Sequence, residues 1–147
     1  MLSNASKYAI RAVLFLAENS SSKNKFGSKQ ISAALDVPQH FIAKILQKLV
    51  KSGIISSGKG PGGGFYTTPE NLKKNVLDIL KVIEKGDIFD ECFLGLPVCG
   101  DENPCPVHDI VSKFKDALLV KFGNQDIKSF SDEVKREGTL ITLKNVL

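Results

Sequence analysis

Apolar residues recur at three- and four-residue spacing along most of the 147-residue chain, which predicts a mainly α-helical fold. Residues 3–18 carry Tyr8, Ala9, Ala12, Val13, Leu16 and Ala17 in this rhythm, with Ser3 or Asn4 placed to cap. A polar loop, NSSSKNKFG, follows, and Ser28 is expected to cap a short helix, KQISAALD, with Ile31, Ala34 and Leu35 turned inward. Asp36-Val37 make a turn, since aspartate tolerates the left-handed backbone such turns need. The next helix spans about Pro38 to Ser52, with Phe41, Ile42, Ile45, Leu46, Leu49 and Val50 as its core stripe and Gly53 as its terminator. Two β-prone runs, Ile54–Ser57 and Phe65–Thr68, flank the glycine-rich segment GKGPGGG, the pattern of a hairpin.

Residues 75–85 read as a helix with Val76, Ile79, Leu80 and Ile83 inward, ended by Gly86. A longer helix is expected from Pro106 to about Phe122, closed by Gly123. Its apolar residues (Val107, Ile110, Val111, Phe114, Ala117, Leu118, Leu119, Val120 and Phe122) exceed what one face needs, so a partner subunit is expected against it. Residues 126–137 form one more short helix around Ile127, Phe130 and Val134, and the tail TLITLKNVL fits either strand or disorder.

The order short helix, three- to four-residue turn, second helix, hairpin has a functional meaning. It is the spacing of a winged helix–turn–helix, whose second helix enters the major groove with its N-terminal residues at the base edges. The polar face of that helix carries Gln39, His40, Ala43, Lys44, Gln47, Lys48 and Lys51 and no acid. Gln39 and His40 are placed for bases, Lys44 and Lys48 for phosphates. The glycine-rich segment lacks the Gly-Lys-Ser/Thr and the following helix of a nucleotide loop, so it is expected to be a wing whose backbone approaches the sugar–phosphate edge, with Lys59 adding charge.

Charge distribution sharpens this picture. The net charge is +4, but residues 1–85 carry +8 and residues 86–147 carry −4. A basic half joined to an acidic half suggests that the first meets a polyanion. No run of 18 apolar residues exists, and the apolar N-terminal stretch is interrupted by Lys7 and Arg11 and lacks a small-residue cleavage site. A cytoplasmic protein with no membrane partner is therefore expected, in a compartment where cysteines serve as ligands or free thiols.

All three cysteines lie in ECFLGLPVCGDENPCPVHD, residues 91–109. Gly95, Pro97, Gly100, Asp101, Asn103 and Pro104 make this a loop, on which three thiols can converge. His108 falls one helical turn beyond Cys105, giving a Cys92, Cys99, Cys105, His108 ligand set. Zinc sites usually pair their cysteines closely, and no such pair occurs here. A [2Fe–2S] cluster takes four protein ligands around a wider object and accepts imidazole among them. Zinc, a thiol redox switch and three unrelated cysteines remain alternatives. No paired carboxylates, no nucleophile with a base and no phosphate loop accompany the cysteines, so no enzyme is expected; an electron-transfer iron–sulfur protein is the remote alternative.

The segments SKYAIRA at 6–12, the helix–turn–helix at 28–52, SGIISSGKGPGGGF at 52–65, and the cysteine triad with PCPVH at 104–108 resemble the IscR- and NsrR-like (Rrf-type) winged-helix transcription regulators, which include iron–sulfur sensors. The resemblance covers most of the chain. It implies a homodimeric repressor on a palindromic operator, controlled by a cluster held by Cys92, Cys99, Cys105 and His108. It places Tyr8, Ser28, Gln39, His40, Lys44 and the wing residues Lys59, Gly60, Pro61, Gly62 and Gly63 against DNA. This chain departs from the pattern in a first cysteine gap one residue longer and in Ala43, where the cluster-assembly regulators place a glutamate. The nitric-oxide sensors take an acidic ligand from the partner's first helix, but no Asp or Glu precedes Glu18, which favours His108. The expected division is a DNA-binding domain over 1–85, a cluster loop over 86–105, and a dimerisation helix with extension over 106–147.

Overall fold

A computed structural model describes residues 2–86 and 88–142. Six α-helices surround one core, with a two-stranded antiparallel hairpin at the edge: α1 (Asn4–Asn19), α2 (Ser28–Leu35), α3 (Gln39–Lys51), β1 (Ser56–Gly58), β2 (Gly64–Tyr66), α4 (Val76–Ile83), α5 (His108–Asn124) and α6 (Ile127–Arg136). This is the winged-helix architecture.

Local chemistry sets the boundaries. Ser3 caps α1, its hydroxyl accepting from the Ser6 amide at 3.1 Å. Ser28 is not the cap of α2 but its first residue; Gly27 precedes it, and the Gln30 side chain returns to the Gly27 amide at 2.8 Å. Asp36 takes the left-handed conformation, φ 54°, that the turn before α3 requires. Gly53, at φ 77°, lets the chain reverse after α3.

The core joins one stripe from each of α1 to α4. Ala9, Ala12, Val13, Leu16, Ile31, Leu35, Ile42, Leu46, Leu49 and Ile79 are buried in one cluster, which Ile127 at the start of α6 completes. Phe41 leaves the expected stripe. It lies at the rim of the arc Ile42–Ile45–Leu46–Leu49, is 52% exposed, and stacks against His40 at 4.6 Å between ring centroids.

The first strand also shifts. Ile54 and Ile55 are both buried, which a two-faced strand cannot do with neighbouring residues. Their amides instead reach the Leu49 carbonyl, closing the end of α3. The strands begin at Ser56 and Gly64, pairing Ser56 with Tyr66 and Gly58 with Gly64. The wing is fastened twice. Phe26 and Phe65 exchange amide–carbonyl bonds of 2.9 and 2.8 Å, and Gly64 fits there because a Cβ would fall 2.8 Å from the Phe26 backbone. Beneath it, buried Asn71 accepts from the Ser56 hydroxyl and from both the amide and hydroxyl of Thr68, and donates to the Gly53 carbonyl at 2.9 Å.

Helix α4 keeps its expected inward stripe but ends at Ile83, with Glu84 rather than Gly86 closing it. Glu84 ties α4 to the start of α1 by accepting from the Ser3 amide and from the Ser3 and Ser6 hydroxyls at 3.2, 2.5 and 2.5 Å. Partial burial opposes its charge, but those hydrogen bonds outweigh burial and hold the carboxyl below the usual glutamate range. A depressed folded-state value contributes stability at pH above the unfolded glutamate value, which is lost as pH falls through the folded one. Glu84→Gln should therefore lower the melting temperature at neutral pH, and the gap from wild type should close as the pH falls through the glutamate range. Thermal melts at stepped pH check this; a gap independent of pH would contradict it.

Helix α5 starts at His108 and not Pro106, because residues 105–107 form a turn closed by the His108 amide on the Cys105 carbonyl at 2.9 Å. Gly123 lies inside α5, where its carbonyl accepts from the Asn75 side chain at 3.2 Å. Residues 139–142 of the tail form no strand, and 143–147 lie outside the described residues.

Candidate functional site

Two candidate sites emerge. The first is the outer face of α3 with the wing. Ile42, Ile45, Leu46 and Leu49 anchor the inner face, so Gln39, His40, Lys44, Gln47, Lys48 and Lys51 all project outward and are exposed. Arg11 of α1 fixes the helix–turn–helix by donating to the Leu35 carbonyl at the end of α2, 2.6 Å away. Ser28 sits at the start of α2, where free amides favour anions. Tyr8 is half-buried beside the core. Lys59 to Gly63 form the wing tip, Lys59 to Gly62 exposed, with the Gly63 amide closing on the Gly60 carbonyl at 2.9 Å.

Lys25 is an addition that sequence reasoning missed. Its ammonium lies 5.2 Å from the Tyr66 ring centroid, so a loop lysine joins the base of the wing. Only the fold places it there, through the Phe26–Phe65 pairing. The resulting surface is cationic along α3 and wing, the charge a nucleic-acid backbone requires.

The second site is the loop between α4 and α5. Three reverse turns shape it: the Gly95 amide on the Cys92 carbonyl, the Asn103 amide on the Gly100 carbonyl, and the turn entering α5. They bring the thiols together. Cys92 lies close enough to Cys99 and Cys105 for both side chains to act on its charge. All three are free thiols, Cys99 exposed and the others half-buried. His108 completes the group, with Nδ1 3.7 Å from the Cys99 sulfur and Nε2 3.2 Å from Asp101 Oδ1. Asp101 also escaped sequence reasoning. It is an exposed carboxylate that orients the ring of a nearly buried histidine, and a proton on Nε2 shared with it leaves Nδ1 free to accept a metal.

The thiols differ electrostatically. Backbone amides, the Leu96 one foremost and Leu94 next, hold Cys92 below the ordinary thiol range against some desolvation, and the other two thiols add to this. Desolvation, followed by the neighbouring Cys92, pushes Cys99 up. Among the described residues, no three Cys, His, Asp or Glu side chains enclose a point tightly enough for a single metal ion. The loop around the thiols exposes Phe93, Leu94, Leu96 and Val98, and the adjoining α5 exposes Ile110, Phe114 and Val120. Among the described residues, no helix is long and apolar enough to cross a membrane.

A model of the Rrf2 family, described as iron-dependent transcriptional regulators, matches residues 2–133. The chain is 30% identical over 130 residues to a protein of Aquifex aeolicus named as an HTH-type transcriptional regulator, covering 87% of this chain and 89% of that protein. It is 23% identical to the HTH-type transcriptional regulator NsrR of Bacillus subtilis over 97% of this chain and 95% of that one. Among solved structures, CymR, the global cysteine regulator of B. subtilis, superposes with a TM-score of 0.70 at 20% identity, covering 90% of this chain and 97% of that one. IscR of T. potens superposes at 0.67 with 17% identity, covering 95% and 91%. These structures share the winged-helix fold.

Proposed function

Because the chain belongs to the Rrf2 family of helix–turn–helix transcriptional regulators, we propose that it is a homodimeric repressor of a palindromic operator whose DNA affinity is set by a [2Fe–2S] cluster. The observation that carries the cluster reading is the gathering of Cys92, Cys99, Cys105 and His108 at the N-terminal end of α5. Cys92 beside Cys99 and Cys105, with an imidazole nitrogen facing Cys99, forms a donor set suited to such a cluster. When bound, the cluster would supply an iron–sulfide core whose presence or loss sets the shape of the loop.

The chain's own residues supply the rest. Gln39 and His40 read base edges, with Tyr8, Ser28, Lys44, Lys48 and the wing from Lys59 to Gly63 also against the DNA. The exposed apolar residues of α5 take a second copy of the helix, bringing two reading helices into one two-fold arrangement. The loop sits at the base of that dimer helix, so a change in its shape alters the spacing of the reading helices. Half-sites about 34 Å apart tolerate little error in that spacing.

Anaerobic reconstitution with iron and sulfide tests the reading. The expected product is brown, with visible absorption and near-equal iron and sulfide contents; a colourless, iron-free product would defeat it. A second reading keeps the DNA-binding regulator and uses the thiols as a redox switch or a zinc site. The lowered Cys92 thiol beside two others supports the redox switch, and metal analysis with DNA binding in oxidant separates the two readings.

Lys48→Ala should weaken operator and non-specific DNA about equally, by roughly tenfold at physiological salt, and lower the slope of log affinity against log salt by about one. Fluorescence anisotropy across salt concentrations reads both. A changed sequence preference would instead place Lys48 on bases.

A further inference from the structure

Helix α5 buries one side chain, and that side chain is a lysine. Lys115 is 6% exposed. It lies seven residues after His108, two turns along the same face. Its ammonium donates to the backbone carbonyl of Glu91, immediately before Cys92. It lines a pocket with Cys99, Cys105 and His108. Among the described residues, no carboxylate stands within ion-pair distance of it. A buried ammonium met only by a neutral carbonyl is costly, and an anion brought beside it offsets that cost. The pocket it shares holds two of the three candidate thiolates, Cys99 and Cys105, and the imidazole. On an oxidised [2Fe–2S] core three thiolates and a neutral imidazole leave a net negative charge.

We propose that Lys115 is a positioning residue for the cluster: its ammonium latches the Glu91 carbonyl, which turns Cys92 toward the other thiols, and it is the counter-charge of the bound anion. This rests on the cluster reading given above.

The test uses the full chain with Lys115→Met, Lys115→Gln and Lys115→Arg. Lys115→Met keeps an unbranched stem of similar volume and removes both donor and charge. Cluster loss, followed as decay of visible absorption under a chelator, should be about tenfold faster than wild type in Lys115→Met. Lys115→Arg should stay within about threefold of wild type, and Lys115→Gln, which donates without charge, should fall between. In the cluster-free protein, amide hydrogen exchange over residues 91–99 should quicken in Lys115→Met while the melting temperature is unchanged or higher, because a buried charge has gone. A merely structural lysine would move the melting temperature down instead.

Wild-type cluster retention in Lys115→Met overturns the counter-charge, as does equal loss in the Arg and Met variants. Unchanged exchange over 91–99 overturns the latch. A wild-type chain that takes up no cluster overturns the cluster reading and the counter-charge with it, and the exchange measurement still decides the latch.

Discussion

Leu46→Ala should destabilise the protein by about 2–5 kcal/mol, a large fraction of the roughly 5–15 kcal/mol that holds a domain folded. Leu46 is fully buried in α3, the helix that packs against both α1 and α2. Truncation removes its transfer free energy and leaves a cavity that close-packed neighbours (Leu16, Ile31 and Ile42 belong to the same cluster) fill only in part. The inner face of α3 is also the platform for its outer one. Each buried contact that fixes the helix rotation fixes the direction in which Gln39, His40 and Lys44 project. DNA affinity should therefore fall at temperatures where the variant is still mostly folded, beyond the loss explained by the unfolded fraction. Urea titration followed by helical signal should give a lower midpoint with an unchanged slope. A loss under about 1 kcal/mol would mean that the site collapses onto the smaller side chain.

The same helix shows what a linear sequence conveys. Its inner arc, its polar face and its Gly53 terminator follow from a 3.6-residue period and from glycine's access to positive φ. Phe41 does not, because periodicity gives an angle around the helix but not where along it the core stops. Ile54 and Ile55 read as strand for a similar reason: β-branched residues favour strands, yet here they plug the underside of α3. The nearness of the thiols to one another and to His108 was legible because cysteine and histidine are scarce in this chain and fall together. Asp101, Lys115 and Lys25 were not legible. Their importance comes from what turns and packing bring beside them, and charged residues on a surface helix or loop look alike until a neighbour is known. Lys115 in particular sits in a helix read as apolar, although its period from His108 was present in the sequence.

Cys105→Ala is expected to abolish cluster uptake altogether, leaving a protein without visible absorption and with iron and sulfide near zero. Cys105 stands where the loop enters α5, and its backbone carbonyl, not its thiol, accepts the His108 amide that starts the helix. Alanine keeps that bond, so helical content and melting temperature should stay close to those of the apo wild type. On the proposed reading, what disappears is one of the three thiolates that would neutralise an iron–sulfide core. His108→Ala should behave differently. An imidazole is a neutral ligand, and water or a small thiol can take its place, so that variant should assemble a cluster and lose it faster. DNA binding then separates sensing from reading: in Cys105→Ala it should take one value with or without iron and sulfide, while wild type takes two. A Cys105→Ala protein that keeps the wild-type spectrum would remove Cys105 from the ligand set. One that loses the spectrum while its DNA affinity still answers to iron would move the sensor away from this loop.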